Sequence, residues 1–203
     1  SYESIFNYLK TGFLDIDEMD ITDPESVDKV ITEANPDAVI HCAAWTAVDA
    51  AEDDDKKEIV RKVNVEGPRN IAKVCKKLDI KMIQISTDYV FDGQGKRPYI
   101  ESDEPCPVSA YGRTKLAGEK AVQDSRCRYV IIRTAWLYSE FGKNFLKTMM
   151  RLTSEKPSVN VVNDQVGSPT YALDLAKAIF KVLECGVNDR NQGIYHYSNE
   201  GVC

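Results

Sequence analysis

Apolar positions recur along the chain with two periods. Val27, Val30, Ile31 and Ala34 fall at i, i+3, i+4 and i+7, which predicts an amphipathic helix. Asp23 stands as its N-cap and Pro24 at its first helical position, and Asn35-Pro36-Asp37 ends it. The short apolar run over residues 38–42 predicts a strand buried on both faces. Residues 56–78 predict a long helical region. Its apolar stripe is Ile59, Val60 and Val63, then Ile71, Val74, Cys75 and Leu78, with Gly67-Pro68 as a break or restart. Two further buried strands are predicted over residues 82–86 and 129–133, with a helix between them that carries Tyr111 and Lys115 and runs to about Gln123. Beyond them the pattern predicts a helix over 144–152, a strand over 158–162, a helix over 171–183 and a last strand over 193–197.

Strands alternating with helices imply right-handed βαβ units and a parallel sheet covered on both faces, an α/β, doubly wound arrangement. Ligands of such sheets sit at the carboxyl ends of the strands. Ala43, Ala44 and Thr46, Thr87, and Trp136 each follow or end one of these strands and so converge on one edge. The loop over 88–108, with Gly93, Gly95, Pro98, Pro105 and Pro107, is long for a plain connection and reads as functional.

Composition narrows the picture. A net charge of −6 over 203 residues, without a basic stripe, argues against a nucleic-acid partner. No apolar run approaches the ~20 residues that span a bilayer. Six scattered cysteines and two histidines form no metal-ligand spacing and no disulfide framework. They suggest a reducing cytoplasm, no metal, and most cysteines as small core residues, Cys42 and Cys127 among them. His41 reads as a core histidine, Trp45 as packing beside a strand end, and the acidic run 52–55 as a solvated helix start.

Tyr111 and Lys115 stand four apart on a helix and share a face. The cation can lower the pKa of the phenol, which is about 10 in a model peptide. Thr87 adds a hydroxyl from a strand end. Together they form a proton-transfer device for a carbonyl or a carbinol. Chance alone produces a Tyr-x-x-x-Lys in a chain with 10 tyrosines, so its weight comes from the shared sheet edge.

Four stretches occur in order: Ser86-Thr87-Asp88-Tyr89-Val90-Phe91-Asp92-Gly93, Tyr111-Gly112-Arg113-Thr114-Lys115, Arg133-Thr134-Ala135-Trp136-Leu137-Tyr138, and Asn163-Asp164-Gln165-Val166-Gly167-Ser168-Pro169-Thr170. Together they resemble the dTDP-4-dehydrorhamnose reductase family of extended short-chain dehydrogenases/reductases. The resemblance implies reduction of the C4 ketone of dTDP-4-dehydro-L-rhamnose with hydride from NADPH or NADH. It assigns Tyr111 as proton donor, Lys115 as its partner and a nicotinamide-ribose contact, and Thr87, Asp88 and Trp136 as substrate contacts. Asp20 and Ile21 fall where the family contacts adenine, and Ala43, Ala44 and Thr46 on its cofactor-binding strand end. Residues 1–140 are then expected to be the Rossmann-type NAD(P)-binding domain, without its first strand and Gly-rich loop. Residues 141–203 are expected to serve both the sheet and a smaller substrate-binding region. A homodimer is a possible assembly.

The chain lacks the glycine-rich turn that holds a pyrophosphate at a helix N-terminus, since Gly12 is the only glycine before Gly67. It opens on Ser1 without Met and stops at Cys203, so a piece of a longer protein is expected. Asp17 and Asp20 follow a possible second strand, and an acid there can bind a ribose 2′-hydroxyl; coenzyme preference stays open. Two other readings compete. One is a non-catalytic, NADP-binding regulatory subunit resembling the methionine adenosyltransferase β-subunit. The other is an epimerase or dehydratase of another sugar nucleotide. Asp164-Gln165 is balanced between a substrate loop and plain turn chemistry.

Overall fold

A computed structural model describes residues 11–203. The stretch expected to hold a second strand lies partly before Thr11, outside the described residues. Helix α1 (Pro24–Ala34) begins as its sequence predicts. The Asp23 carboxylate accepts from the Glu25 amide, and Asn35 ends the helix in the left-handed region at φ 41°, a conformation that asparagine tolerates better than most residues. Strand β1 (Ala38–His41) follows.

The long helical region proves to be continuous but not uniform. Helix α2 (Lys57–Arg61) passes through a π-helical turn (Lys62–Glu66) into α3 (Gly67–Leu78). Pro68 has no amide to give the Asn64 carbonyl, so the regular ladder cannot continue. The Gly67 amide instead bonds the Lys62 carbonyl. The freed Asn64 carbonyl faces Gly118 so closely that a Cβ there would lie 2.2 Å from it. The expected break at Gly67-Pro68 is therefore a widened turn against which another helix packs.

Strand β2 (Lys81–Thr87), helix α4 (Ala110–Ser125) and strand β3 (Arg128–Thr134) come next. Strand β4 (Leu137–Tyr138), helix α5 (Phe145–Glu155), strand β5 (Thr170–Tyr171), helix α6 (Ala172–Cys185) and strand β6 (Gly193–His196) complete the order. The main sheet runs β1-β2-β3-β6, and every pairing is parallel. The short β4 and β5 pair with each other. Val27, Ile31, Ile71, Cys75, Met82, Val122 and Ile131 form the core on one face of the sheet, and Ile83, Val130, Ile132, Leu175 and Ile179 that on the other. This is the doubly wound, Rossmann-type arrangement that the alternating pattern predicts.

Two expectations fail. Residues 158–162 form no strand, and Val161 and Val162 are exposed; the apolar run there lies against no sheet edge that could pair its backbone. Only Cys75 and Cys127 are buried, while Cys42, Cys106, Cys185 and Cys203 are exposed. Cys42 is exposed because β1 ends one residue before it, at His41. Glu52 stays exposed with the rest of the acidic run but also reaches another helix, as described below.

The parallel topology determines where the site can form. Each helix that leads into the start of a strand must begin near the opposite, carboxyl edge of the sheet. The loop before α1, the segment after His41, the end of β2 and the start of α4 therefore meet there.

Candidate active site at the carboxyl edge of the sheet

Thr87 is the last residue of β2 and caps the 3₁₀ turn Asp88–Val90, accepting from the Tyr89 amide at 3.2 Å. Its hydroxyl donates to the Asp88 carboxylate at 3.0 Å. Burial raises the pKa of Asp88, partly offset by that hydrogen bond. Helix α4 starts beside this turn. Ser109 caps it by accepting from the Gly112 amide, and Glu52 reaches across 58 residues of sequence to accept from the Ala110 amide at 2.6 Å. An acid at a helix N-terminus satisfies a free amide and suits the dipole. Two caps therefore fix the first turn of α4, the turn that carries Tyr111.

Tyr111 is buried, packed with Ala51, Val60 and Ala110 and edge-on to Tyr89 at 5.5 Å. Burial raises the phenol's pKa, the nearby Thr87 hydroxyl pulls it back, and the charges of Asp88 and Tyr89 add to the rise. The expected lowering by Lys115 is not observed. The Lys115 ammonium donates to the Ile85 carbonyl at 2.8 Å, and desolvation of the phenol outweighs other influences. Lys115 is itself buried, and burial lowers its pKa to about 8 against the opposing charges of Glu119 and Cys42. The structure thus brings Thr87, Asp88, Tyr111 and Lys115 together at one strand end.

Below Lys115 lies a buried ion pair. Glu119, one turn along α4, receives Arg133 from β3 through Nε at 3.0 Å and Nη2 at 2.7 Å. Ser86 donates to the same carboxylate. The Arg133 guanidinium stands 5.2 Å from the Phe91 ring centroid, and Phe91 stacks on Tyr99 at 4.3 Å. The loop over 88–108 is anchored to the sheet in this way.

Ala43 and Thr46 lie exposed just past β1, with Ala44 half-buried. Asn64 holds this segment in place. Its side chain accepts from the Trp45 amide at 2.9 Å and donates to the Trp45 carbonyl and to Thr114. Trp45 packs beside the Tyr111 cluster and donates its indole N–H to Ala47, as a packing residue would. Asp20 folds its carboxylate onto the amide and hydroxyl of Thr22. The Ile21 carbonyl receives Asn70 at 3.0 Å, which ties that loop to α3. Trp136 stands two residues beyond β3 at φ 47° and is 37% exposed. Asp164 and Gln165 lie exposed in an irregular segment.

Sequence reasoning missed Glu52 and Asn64. Asn64 gave a signal, a polar side chain between Val63 and Val65 in an apolar helix just before Gly-Pro. Glu52 gave none, because its partner is distant in sequence. Among the described residues no group of three or more His, Cys, Asp or Glu is arranged to hold a metal ion. No helix among them is long and apolar enough to cross a membrane.

Comparison with known proteins agrees with this geometry. Residues 7–203 match the family described as RmlD substrate binding domain. A dTDP-4-dehydrorhamnose reductase of Burkholderia thailandensis is 40% identical over 190 residues, 91% of this chain and 63% of that protein. A dTDP-4-keto-6-deoxy-D-glucose reductase of Streptomyces niveus is 42% identical over 185 residues, 91% of this chain and 62% of its own length. The chain thus spans about six-tenths of these curated relatives. The crystal structure of dTDP-4-dehydrorhamnose reductase from Bacillus anthracis in complex with NADP superimposes with a TM-score of 0.90 at 39% identity, covering 99% of this chain and 71% of that one. The chain belongs to the dTDP-4-dehydrorhamnose reductase family, through its RmlD substrate binding domain.

Proposed function

We propose that the protein of which this chain is part reduces the C4 ketone of a dTDP-linked 6-deoxyhexose, dTDP-4-dehydro-L-rhamnose in the first place, to the C4 alcohol. The observation that carries this reading is the placement of Tyr111, Lys115 and Thr87 at one carboxyl strand end, in a chain of this family. The names of the two relatives share a C4 ketone on a dTDP sugar and differ in the sugar.

The residues present fit the nicotinamide half of NADPH or NADH. Small, exposed Ala43 and Thr46 leave room past β1, and Lys115 stands at the neighbouring end of β2. Asp20 and Ile21 precede α1 at the same edge and suit the adenine end. The glycine-rich turn for the pyrophosphate has no counterpart in the sequence. A dinucleotide held there would supply the hydride for C4. Tyr111, with its pKa raised by burial, holds its proton at neutral pH and donates it to O4 as negative charge builds there. Lys115, a buried cation one helical turn away with a pKa of about 8, is the contact for the nicotinamide ribose. Thr87 orients the phenol and the ketone oxygen. Asp88 and Trp136 contact the sugar, and residues 141–203 contribute to that side of the cleft. The protein works in the cytoplasm with a nucleotide sugar as its small-molecule partner. A homodimer is compatible with this reading.

The test is turnover by the full-length protein with dTDP-4-dehydro-L-rhamnose, following NAD(P)H absorbance. The dTDP conjugate should react far faster than the free 4-keto sugar, since remote binding energy holds the sugar for attack. Isomerisation without cofactor consumption would favour the epimerase. A folded, cofactor-bound protein without turnover that forms a stable complex with a synthetase would favour the regulatory subunit.

A further inference from the structure

Trp136 is held in an unfavourable place. A bulky residue rarely adopts a positive φ, and this one sits at 47°. Strain of that kind persists only where surrounding contacts over-determine it. Here the contacts come from the segment around Gly167. The Thr170 amide donates to the Trp136 carbonyl at 3.2 Å, and the Thr134 hydroxyl donates to that of Thr170 at 3.1 Å. Gly167 and Cys203 exchange two backbone hydrogen bonds of 3.0 Å, and Ser168 donates to the Gly201 carbonyl at 2.6 Å. The Gly167 backbone is thus fixed from behind.

Its open side meets the indole. A Cβ on Gly167 would lie 2.8 Å from Cε2, 2.9 Å from Cζ2 and 3.2 Å from Cδ2 of Trp136. Cδ2 and Cε2 are the ring-fusion atoms, within reach only from the ring's face. One face of the indole therefore rests on the Gly167 backbone, while Trp136 stays 37% exposed two residues past a strand end of the site. A rigid aromatic face suits the apolar face and 6-methyl group of a deoxyhexose.

We propose that Gly167 is a positioning residue for substrate: its missing side chain seats Trp136, whose opposite face is the platform for the sugar. This rests on the reductase reading of Trp136 as a substrate contact. Gly167 is not in the left-handed region, so alanine is compatible with its backbone, and the ring must swing to admit the methyl group.

The experiment uses full-length protein labelled with 5-fluorotryptophan, with the Trp136 resonance assigned by its loss in Trp136→Phe. In Gly167→Ala that resonance should shift in the free protein. KM for the dTDP-4-keto sugar should rise about tenfold with kcat within about twofold and NAD(P)H affinity unchanged, the pattern of lost uniform binding. In a Trp136→Ala background the same substitution should change KM by less than about twofold, because coupled residues are not additive. An unmoved resonance overturns the seat. A shifted resonance with unchanged KM overturns the platform, and an equal KM rise in the Trp136→Ala background shows that Gly167 acts elsewhere. If the wild type is inactive but its Trp136 resonance responds to the dTDP sugar, the reductase reading fails while the platform stands.

Discussion

Two side chains, Tyr111 and His41, show how burial changes residues that look ordinary in sequence. Burial raises the pKa of Tyr111, and the neighbouring charges of Asp88 and Tyr89 add to the rise, so it is an acid held in reserve and its hydroxyl is indispensable to the proposed proton transfer. Tyr111→Phe should lower kcat by at least ~100-fold, the scale of general acid catalysis, with cofactor affinity and melting temperature nearly unchanged. Steady-state kinetics with cofactor titration checks this, and near-normal turnover would remove Tyr111 from the mechanism. His41 shows the same force acting on stability. It is buried in β1 with Nε2 unpaired among the described residues, and burial, with the Lys115 charge, lowers its pKa to about 3. Between pH 6.5 and 3 the unfolded chain binds a proton there that the folded chain refuses, so stability rises with pH across this window and is fully present above 6.5. Acidifying from pH 7 to 5 should cost about 2 kcal/mol through this group. Urea melts of wild type and His41→Gln should show a weaker acid dependence in the variant. The Tyr-x-x-x-Lys pair was legible in sequence, but the direction of the tyrosine's pKa shift was not. It is set by burial of the phenol, and no spacing rule reports that burial.

At the scale of elements, the helix and strand pattern was largely legible because both periods report burial directly. The caps at Asp23 and Asn35 were legible for the same local reason. What escaped were the joints between elements. Glu52 on the first turn of α4 and Asn64 on the loop after β1 depend on partners far away in sequence, and the π turn before Pro68 was legible only as a break. The tightest joint is Arg133 with Glu119, whose side chains are 3% and 1% exposed. Arg133→Met should destabilise the fold by about 3–5 kcal/mol, because it leaves the Glu119 carboxylate buried without its partner. Adding Glu119→Leu should recover much of that loss. Denaturant unfolding of the single and double variants measures both, and a double variant no more stable than the single would show that the pair matters for more than charge.

At the scale of the molecule, a parallel sheet gathers residues from four separate stretches onto one edge. That is why motifs scattered from Ala43 to Trp136 could be read as converging on one edge before any coordinates. The smaller sheet and the run over 158–162 were harder to read, because their short apolar stretches lack a periodic partner to mark them. The central claim is that this edge reduces a C4 ketone. Its most direct measurement is single turnover of the full-length protein with dTDP-4-dehydro-L-rhamnose and nicotinamide cofactor deuterated on the transferred position of C4, with the product read by NMR and mass. The account predicts one deuterium bound to C4 of the sugar, one cofactor oxidised per alcohol formed, and a much slower reaction in Tyr111→Phe. A sugar product without deuterium at C4, or an unchanged ketone with folded and cofactor-bound protein, would contradict it.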